Sequence, residues 1–147
     1  MTKPIYVLNG PNLNRLGTRE PEIYGTTTLA EIEAMCRKAA GSRPIEFRQT
    51  NAEHQLVDWI HEAVDAGAAI VINPAGLSFG SVSVLDALKM FPGPIIELHI
   101  SNLHRRDESH QHSLMTKAAT AVIMGLGADG YPTAVSAIMR LLEASGA

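Results

Sequence analysis

One cysteine, Cys36, in 147 residues leaves no partner for an internal disulfide, so the chain asks for no oxidising compartment. Cys36 sits in an apolar helical pattern, where a buried structural thiol is expected rather than a reactive one. An excess of positive charge is also missing. The net charge is −3 and the pI is about 6.0, which withholds the basic field that nucleic acid or an anionic membrane demands and argues against polyanionic partners. No run reaches 18 consecutive apolar residues, so no membrane span is expected. Lys3 and Pro4 precede an apolar run too short for a secretory signal. Together these absences describe a cytoplasmic protein. Its length suits a single domain over residues 1–147 that buries a core of its own without disulfides or metal.

What is present is concentrated first in Leu8 to Gly25, LNGPNLNRLGTREPEIYG, directly after the apolar run Ile5–Leu8. Connections longer than about 12 residues are uncommon in compact domains and usually carry binding or catalysis. This one holds Asn9, Asn12, Arg15, Arg19 and Tyr24. Asn and Arg fix anions and carbonyl oxygens, and a Tyr beside Arg is disposed to become a phenolate, because a nearby cation favours the charged form.

Along the rest of the chain, apolar runs alternate with stripes of helical period. Strands are predicted at Ile5–Leu8, Ile45–Gln49, Ala69–Asn73, Ile95–Ile100 and Ala121–Met124. Helices are predicted from a Thr28 cap to Gly41, from Asn51 to Gly67, through Val84, Ala87, Leu88 and Phe91, and from about Pro132 to Ala144. Connections too long for hairpins make the architecture a five-stranded parallel sheet wrapped by helices, an α/β fold. In such sheets ligands bind beyond the carboxyl ends of the strands. The polar clusters fall there: Asn9 to Tyr24, Asn51, Asn73, and His99 with Ser101.

Several α/β functions are excluded by what these strand ends lack. NGPNLNRLG has neither the Gly-Lys-Ser/Thr of a phosphate-binding loop nor a first-loop GxGxxG. Gly125 to Gly130 does fit GxGxxG, but too late in the chain to open a dinucleotide unit, so loop glycines are expected. Asn9 and Asn73 stand where a receiver domain needs acids. Gly76-Leu77-Ser78-Phe79-Gly80 fits GxSxG without the helix that should follow the serine at once. The loop His104 to His112 has metal-binding residue types but two arginines among them, which suits an anion-binding lid better than a cation.

A proton-transfer set remains. Tyr24 is a candidate base with Arg19 and Arg106 to favour its phenolate; lowering a phenol from about 10 to about 7 takes roughly 4 kcal/mol. Strand period two puts Glu97 and His99 on one face, His99 being the candidate acid. Asn12, Asn73 and Ser101 are neutral positioning groups. Each has a plainer alternative: His99 as a core histidine bonded to Glu97, Tyr24 as a loop anchor.

LNGPNLNRLGTREPEIYG, together with QTN at Gln49–Asn51, INP at Ile72–Pro74 and ELHISN at Glu97–Asn102, closely resembles the type II 3-dehydroquinate dehydratases, over nearly the whole chain. The resemblance implies a flavodoxin-like domain that assembles as trimers and then dodecamers. It implies a cofactor-free elimination of water from 3-dehydroquinate, a small cyclic keto acid, through an enolate. By the match, Tyr24 removes the C2 proton, Arg19 lowers its pKa and closes the lid, and Asn12 holds a water at the enolate oxygen. His99, oriented by Glu97, protonates the leaving C1 hydroxyl. Asn73, Ile100 and Ser101 hold the substrate carboxylate, and Asp86 reaches a neighbouring subunit's site.

Two positions depart from the family pattern. A substrate-contacting His is replaced by Phe79 in Pro74-Ala75-Gly76-Leu77-Ser78-Phe79-Gly80-Ser81, and an Arg by His110. The proton-transfer set is intact, while the part of the pocket that meets the substrate's ring hydroxyls is altered. Two alternatives therefore stand beside the dehydratase: the same mechanism on a less hydroxylated 3-keto acid, and a catalytically weak binding module for a small carboxylate.

Overall fold

The computed structural model describes residues 2–147. The five apolar runs become strands β1 (Ile5–Asn9), β2 (Ile45–Gln49), β3 (Ala69–Asn73), β4 (Ile95–His99) and β5 (Ala121–Met124). All pair in parallel in the order β2-β1-β3-β4-β5, the flavodoxin-like arrangement. Every residue of β1, β3 and β4 is buried. That is why β1 and β3 read as apolar runs that end in asparagine, while β4 carries Glu97 at its centre and His99 at its end.

Helices cover both faces. Helix α2 (Leu29–Ala40) and helix α5 (Gly130–Ala144) pack on one, against Ile5, Val7, Ala69, Val71, Ile96 and Leu98. Helix α3 (Glu53–Ala66) and helix α4 (Val82–Leu88) pack on the other, against Tyr6, Leu8, Ile70 and Ile72. The start of α2 is a capping box: Glu31 N–H donates to Thr28 Oγ1 (3.2 Å) and Thr28 N–H to the Glu31 carboxylate (3.1 Å). Such a cap contributes about 1 kcal/mol. Gly41, at φ 60°, ends the helix.

The expected boundaries shift where side chains have other work. Helix α3 starts at Glu53 rather than Asn51, because the Asn51 side chain leaves the helix to accept the Asn12 backbone N–H (2.9 Å). Helix α5 starts two residues before Pro132, and Phe91 lies buried beyond the end of α4. The long first loop has structure of its own. A 3-10 turn at Leu13–Arg15 is pinned by buried Leu13 and Leu16, and a single helical turn α1 (Pro21–Tyr24) has proline at its first position, where its missing N–H costs nothing.

The chain leaves β1 for β2 on one side and reaches β3 on the other, so the switch in strand order falls between β1 and β3. Their last residues, Asn9 and Asn73, are in register. The loops above them approach closely: Gly10 N–H donates to the Asn73 carbonyl (2.8 Å), and a Cβ on Gly10 would lie 2.4 Å from the Pro74 oxygen. Only glycine permits that approach.

Candidate active site

A cleft with about 580 Å³ of empty space opens beyond the ends of β1, β3 and β4. It is lined by Asn12, Arg19, Tyr24, Asn73, Phe79 and His99, and also by Ile100, Ser101, Arg106 and His110. Of the residues expected to act on or hold the substrate, two lie elsewhere: Glu97 stands behind His99, and Asp86 is exposed on α4, off the cleft. Within one chain, therefore, Asp86 takes no part in the site.

The floor is held by side chains that bond the backbone. Asn9 and Asn73 are buried, and both amides meet the hydroxyl of buried Tyr131, which α5 brings under the strand ends. Tyr131 donates to Asn9 Oδ1 (2.7 Å) and accepts from Asn73 Nδ2 (3.0 Å). Gln49 Nε2 donates to the Gly10 carbonyl (3.1 Å) and to Asn51 Oδ1 (3.0 Å). With Asn51 already on the Asn12 N–H, this places Asn12 in the left-handed region at φ 71°, a conformation asparagine tolerates. The QTN segment thus scaffolds the first loop. The sequence singled out Gln49 only as part of the QTN motif and Tyr131 not at all as a site residue, because their roles rest on contacts across 39 and 58 to 122 residues.

The wall at β4 carries the histidine. Period two holds: Glu97 and His99 share a face, and His99 Nε2 meets Glu97 Oε2 at 2.5 Å. The second carboxylate oxygen accepts from Thr116 Oγ1 (2.6 Å). Burial pushes the Glu97 carboxyl up, yet hydrogen bonds from His99, Ser113 and Thr116 outweigh it and hold the group below the usual carboxylate range. A buried carboxylate on Nε2 fixes the ring and leaves Nδ1 for the cleft. The histidine is a core residue bonded to Glu97 and a cleft residue at once, so the two alternatives were never exclusive.

The lid is built differently. Tyr24 ends α1, half-buried, with the Arg19 guanidinium 4.3 Å and the Arg106 guanidinium 5.6 Å from its ring centroid. The two cations come from loops 87 residues apart, and each packs on the ring face, a geometry worth about 0.5–2 kcal/mol. Arg19 also pairs with the exposed Glu20 (3.1 Å). On the remaining side Phe79 meets the His110 ring edge-on, centroids 5.1 Å apart, and Asp107 accepts from His110 Nδ1 at 2.8 Å. The two departures from the family pattern are therefore in contact with each other.

Ser78 is fully buried in the 3-10 turn Ala75–Phe79 and its hydroxyl has no partner among the described residues, so GxSxG is no nucleophile elbow here. Gly125 and Gly127 adopt positive φ in the turn after β5, as loop glycines do. Among the described residues no group of three or more His, Cys, Asp or Glu side chains is arranged to hold a metal, and no helix is long and apolar enough to cross a membrane.

Strand-end asparagines, a histidine backed by a carboxylate and a tyrosine under two guanidiniums form a cleft whose groups can exchange protons and whose cations suit an anionic ligand. Residues 3–139 match the family described as Dehydroquinase class II. The chain is 52% identical to the 3-dehydroquinate dehydratase of Streptomyces avermitilis over 143 residues, covering 95% of this chain and 90% of that protein. It is 49% identical to the 3-dehydroquinate dehydratase of Caulobacter vibrioides over 146 residues, covering 98% and 100%. Among solved structures, the type II dehydroquinase of Propionibacterium acnes superposes with a TM-score of 0.90 at 44% identity, covering 95% of this chain and 98% of that one. The chain belongs to the class II dehydroquinase family.

Proposed function

We propose that the protein is a carbon–oxygen hydro-lyase that converts 3-dehydroquinate to 3-dehydroshikimate. The observation that carries this reading is one cleft holding Tyr24 under two guanidiniums together with a His99 locked on buried Glu97. The Tyr24 phenolate takes the C2 proton, and the electron pair moves toward the ketone oxygen as an enolate. Arg19 and Arg106 supply positive charge beside the reacting groups. His99 then gives a proton to the C1 hydroxyl, the C1–O bond breaks, water leaves and the C1=C2 double bond forms. The Tyr24 proton returns to His99, which closes the cycle with side chains alone.

In the same reading Asn12 holds a water against the enolate oxygen, and Asn73, Ile100 and Ser101 receive the carboxylate. Phe79 and His110 border the ring hydroxyls; with Nδ1 on Asp107, His110 keeps Nε2 as a hydrogen-bonding group in place of an arginine fork. Asp86, exposed on α4, serves a neighbouring subunit in a trimer-based assembly, with a dodecamer as the full particle. The enzyme works as a single domain in the cytoplasm. Similarity at about half of all positions along nearly the full chain gives no support to a less hydroxylated substrate or to a mere binding module.

The test is ultraviolet absorbance of a conjugated enone from 3-dehydroquinate. Saturable growth of that signal is expected; its absence at micromolar enzyme and millimolar substrate would overturn the reading. Sedimentation should give a species well above 15.8 kDa.

A further inference from the structure

The buried amides beneath the cleft are ambiguous taken singly, since an Asn side chain fits either way round and a hydroxyl rotates. Two backbone groups remove the ambiguity. At one end, the Arg48 carbonyl only accepts, so Asn9 must offer it Nδ2 (3.0 Å). Asn9 Oδ1 then faces Tyr131 and takes the hydroxyl proton (2.7 Å), which leaves Tyr131 Oη to accept from Asn73 Nδ2 (3.0 Å). At the other end, the Ala75 backbone N–H only donates and meets Asn73 Oδ1 (3.2 Å). Each assignment forces the next, and all four donors point the same way along the chain of bonds.

Burial seals this order. Asn9 and Tyr131 are fully buried and Asn73 is 4% exposed, so no solvent competes for the amides. Burial pushes the Tyr131 phenol up, and it stays a donor at any physiological pH. The first turn of α5 packs close on the sheet, where a Cβ at Gly130 would lie 2.8 Å from a Leu98 methyl. Asn73 lines the cleft, and with Oδ1 on Ala75 and one Nδ2 hydrogen on Tyr131, its second Nδ2 hydrogen is the amide's free donor there.

We propose that Tyr131, which does not line the cleft, is a positioning residue: it locks the Asn73 amide with its N–H group toward the bound substrate, so that the site offers a carboxylate a donor rather than a second oxygen. This rests on the dehydratase reading for its substrate. Without the hydroxyl, Asn9 Oδ1 and Asn73 Nδ2 lose their partner, and nothing but the Ala75 N–H opposes a flip that would turn Oδ1 toward the carboxylate.

Tyr131→Phe removes the hydroxyl and keeps the packed ring. Initial rates of enone formation are measured for the wild type, Tyr131→Phe, Asn73→Ala and the double variant, with melting curves for all four. Tyr131→Phe is expected to raise KM about tenfold with kcat changed less than threefold, and to add less than a twofold effect on KM in the Asn73→Ala background. A role confined to packing would lower the melting temperature without this KM-against-kcat split. Equal KM effects in both backgrounds, or an unchanged KM in Tyr131→Phe, would overturn the proposal. If Tyr131→Phe does not fold, Asn9→Ala removes the acceptor that orders the hydroxyl and carries the same expectations. If the wild type forms no enone, the dehydratase reading has failed separately. The lock is then read from the Asn73 side-chain amide signals in ¹⁵N-labelled protein: a shift and faster hydrogen exchange in Tyr131→Phe support it, and unchanged signals sink it.

Discussion

The two sides of the cleft are held by opposite means. At the strand ends, Asn9, Asn73, Glu97 and His99 are at most 4% exposed, and each is tied by at least one hydrogen bond within the core. On the loops, Arg19, Tyr24, Arg106 and His110 are half-exposed and held by ring–guanidinium packing and surface ion pairs. An error at the strand ends leaves a buried polar group unpaired, at about 1–3 kcal/mol. An error on the loops is relieved by water. The histidine side is thus built into the core and coupled to stability, whereas the tyrosine side is mounted where a substitution leaves the fold alone.

Tyr24→Phe should show that separation at its largest. Turnover is expected to fall about 10²–10⁴-fold, the usual loss with a general base. The change in stability should stay within about 0.5 kcal/mol, as at other surface positions. A variant retaining more than a tenth of wild-type kcat would remove Tyr24 as the base.

Glu97→Gln should strike both properties. An orienting carboxylate replaced by its amide costs a catalytic histidine about 10²-fold or more, and the buried amide cannot satisfy both His99 and Thr116 as acceptor. A loss of about 1–3 kcal/mol is expected in denaturant titration. Acid provides a second readout. Because the Glu97 carboxyl is depressed in the folded state, its contribution to stability is fully present above the ordinary carboxyl value near 4.3 and is lost as pH falls through the lower folded value. The wild type should therefore lose more stability than Glu97→Gln between pH 5 and pH 2. Parallel pH curves for the two proteins would show that Glu97 is not held low.

Gly10→Ala probes the join between the two sides. The added methyl meets the Pro74 carbonyl, so the first loop and the Ala75 turn must separate, at about 1–3 kcal/mol of overpacking. Melting temperature should fall and KM rise, since Asn12 and Asn73 move apart. Unaltered KM in a folded variant would mean that the spacing of these loops is not used in binding.

The smallest effect is expected at Phe79 and His110. Their edge-on contact and the Asp107 bond already close that wall, with His110 Nε2 left for a ring hydroxyl. Phe79→His combined with His110→Arg should change kcat/KM for 3-dehydroquinate less than tenfold, or about 1.4 kcal/mol. A larger gain would mean that the native pair is mismatched to this substrate.

Much of this was legible along the chain. Period two put Glu97 beside His99, and buried strands ending in asparagine marked the edge where the cleft lies. Pattern also set all five strands to within one residue at either end. The partners of these groups were not legible. Thr116 and Ser113 hold Glu97, yet they sit in a polar stretch with no period to single them out. Tyr131 reads as the aromatic start of an apolar helix, and only its place under Asn9 and Asn73 gives its hydroxyl a task. The first loop was read as one connection, although Pro21 and the buried Leu13 and Leu16 divide it into turns.

By itself, then, the sequence determined the alternation of strand and helix, the all-parallel sheet and the residue types gathered at its carboxyl edge. Hydrophobic periodicity is local, and burying it leaves few arrangements open. Only the tertiary structure decided which side chain answers which: that two arginines from distant loops share one tyrosine ring, that Asp86 lies off its own cleft, and that a helix begun after the last strand bonds the amides at the ends of the first and third. Those pairings rest on hydrogen bonds and contacts a few ångströms long between residues up to 122 apart. Their cost is fixed by burial, which no local pattern records.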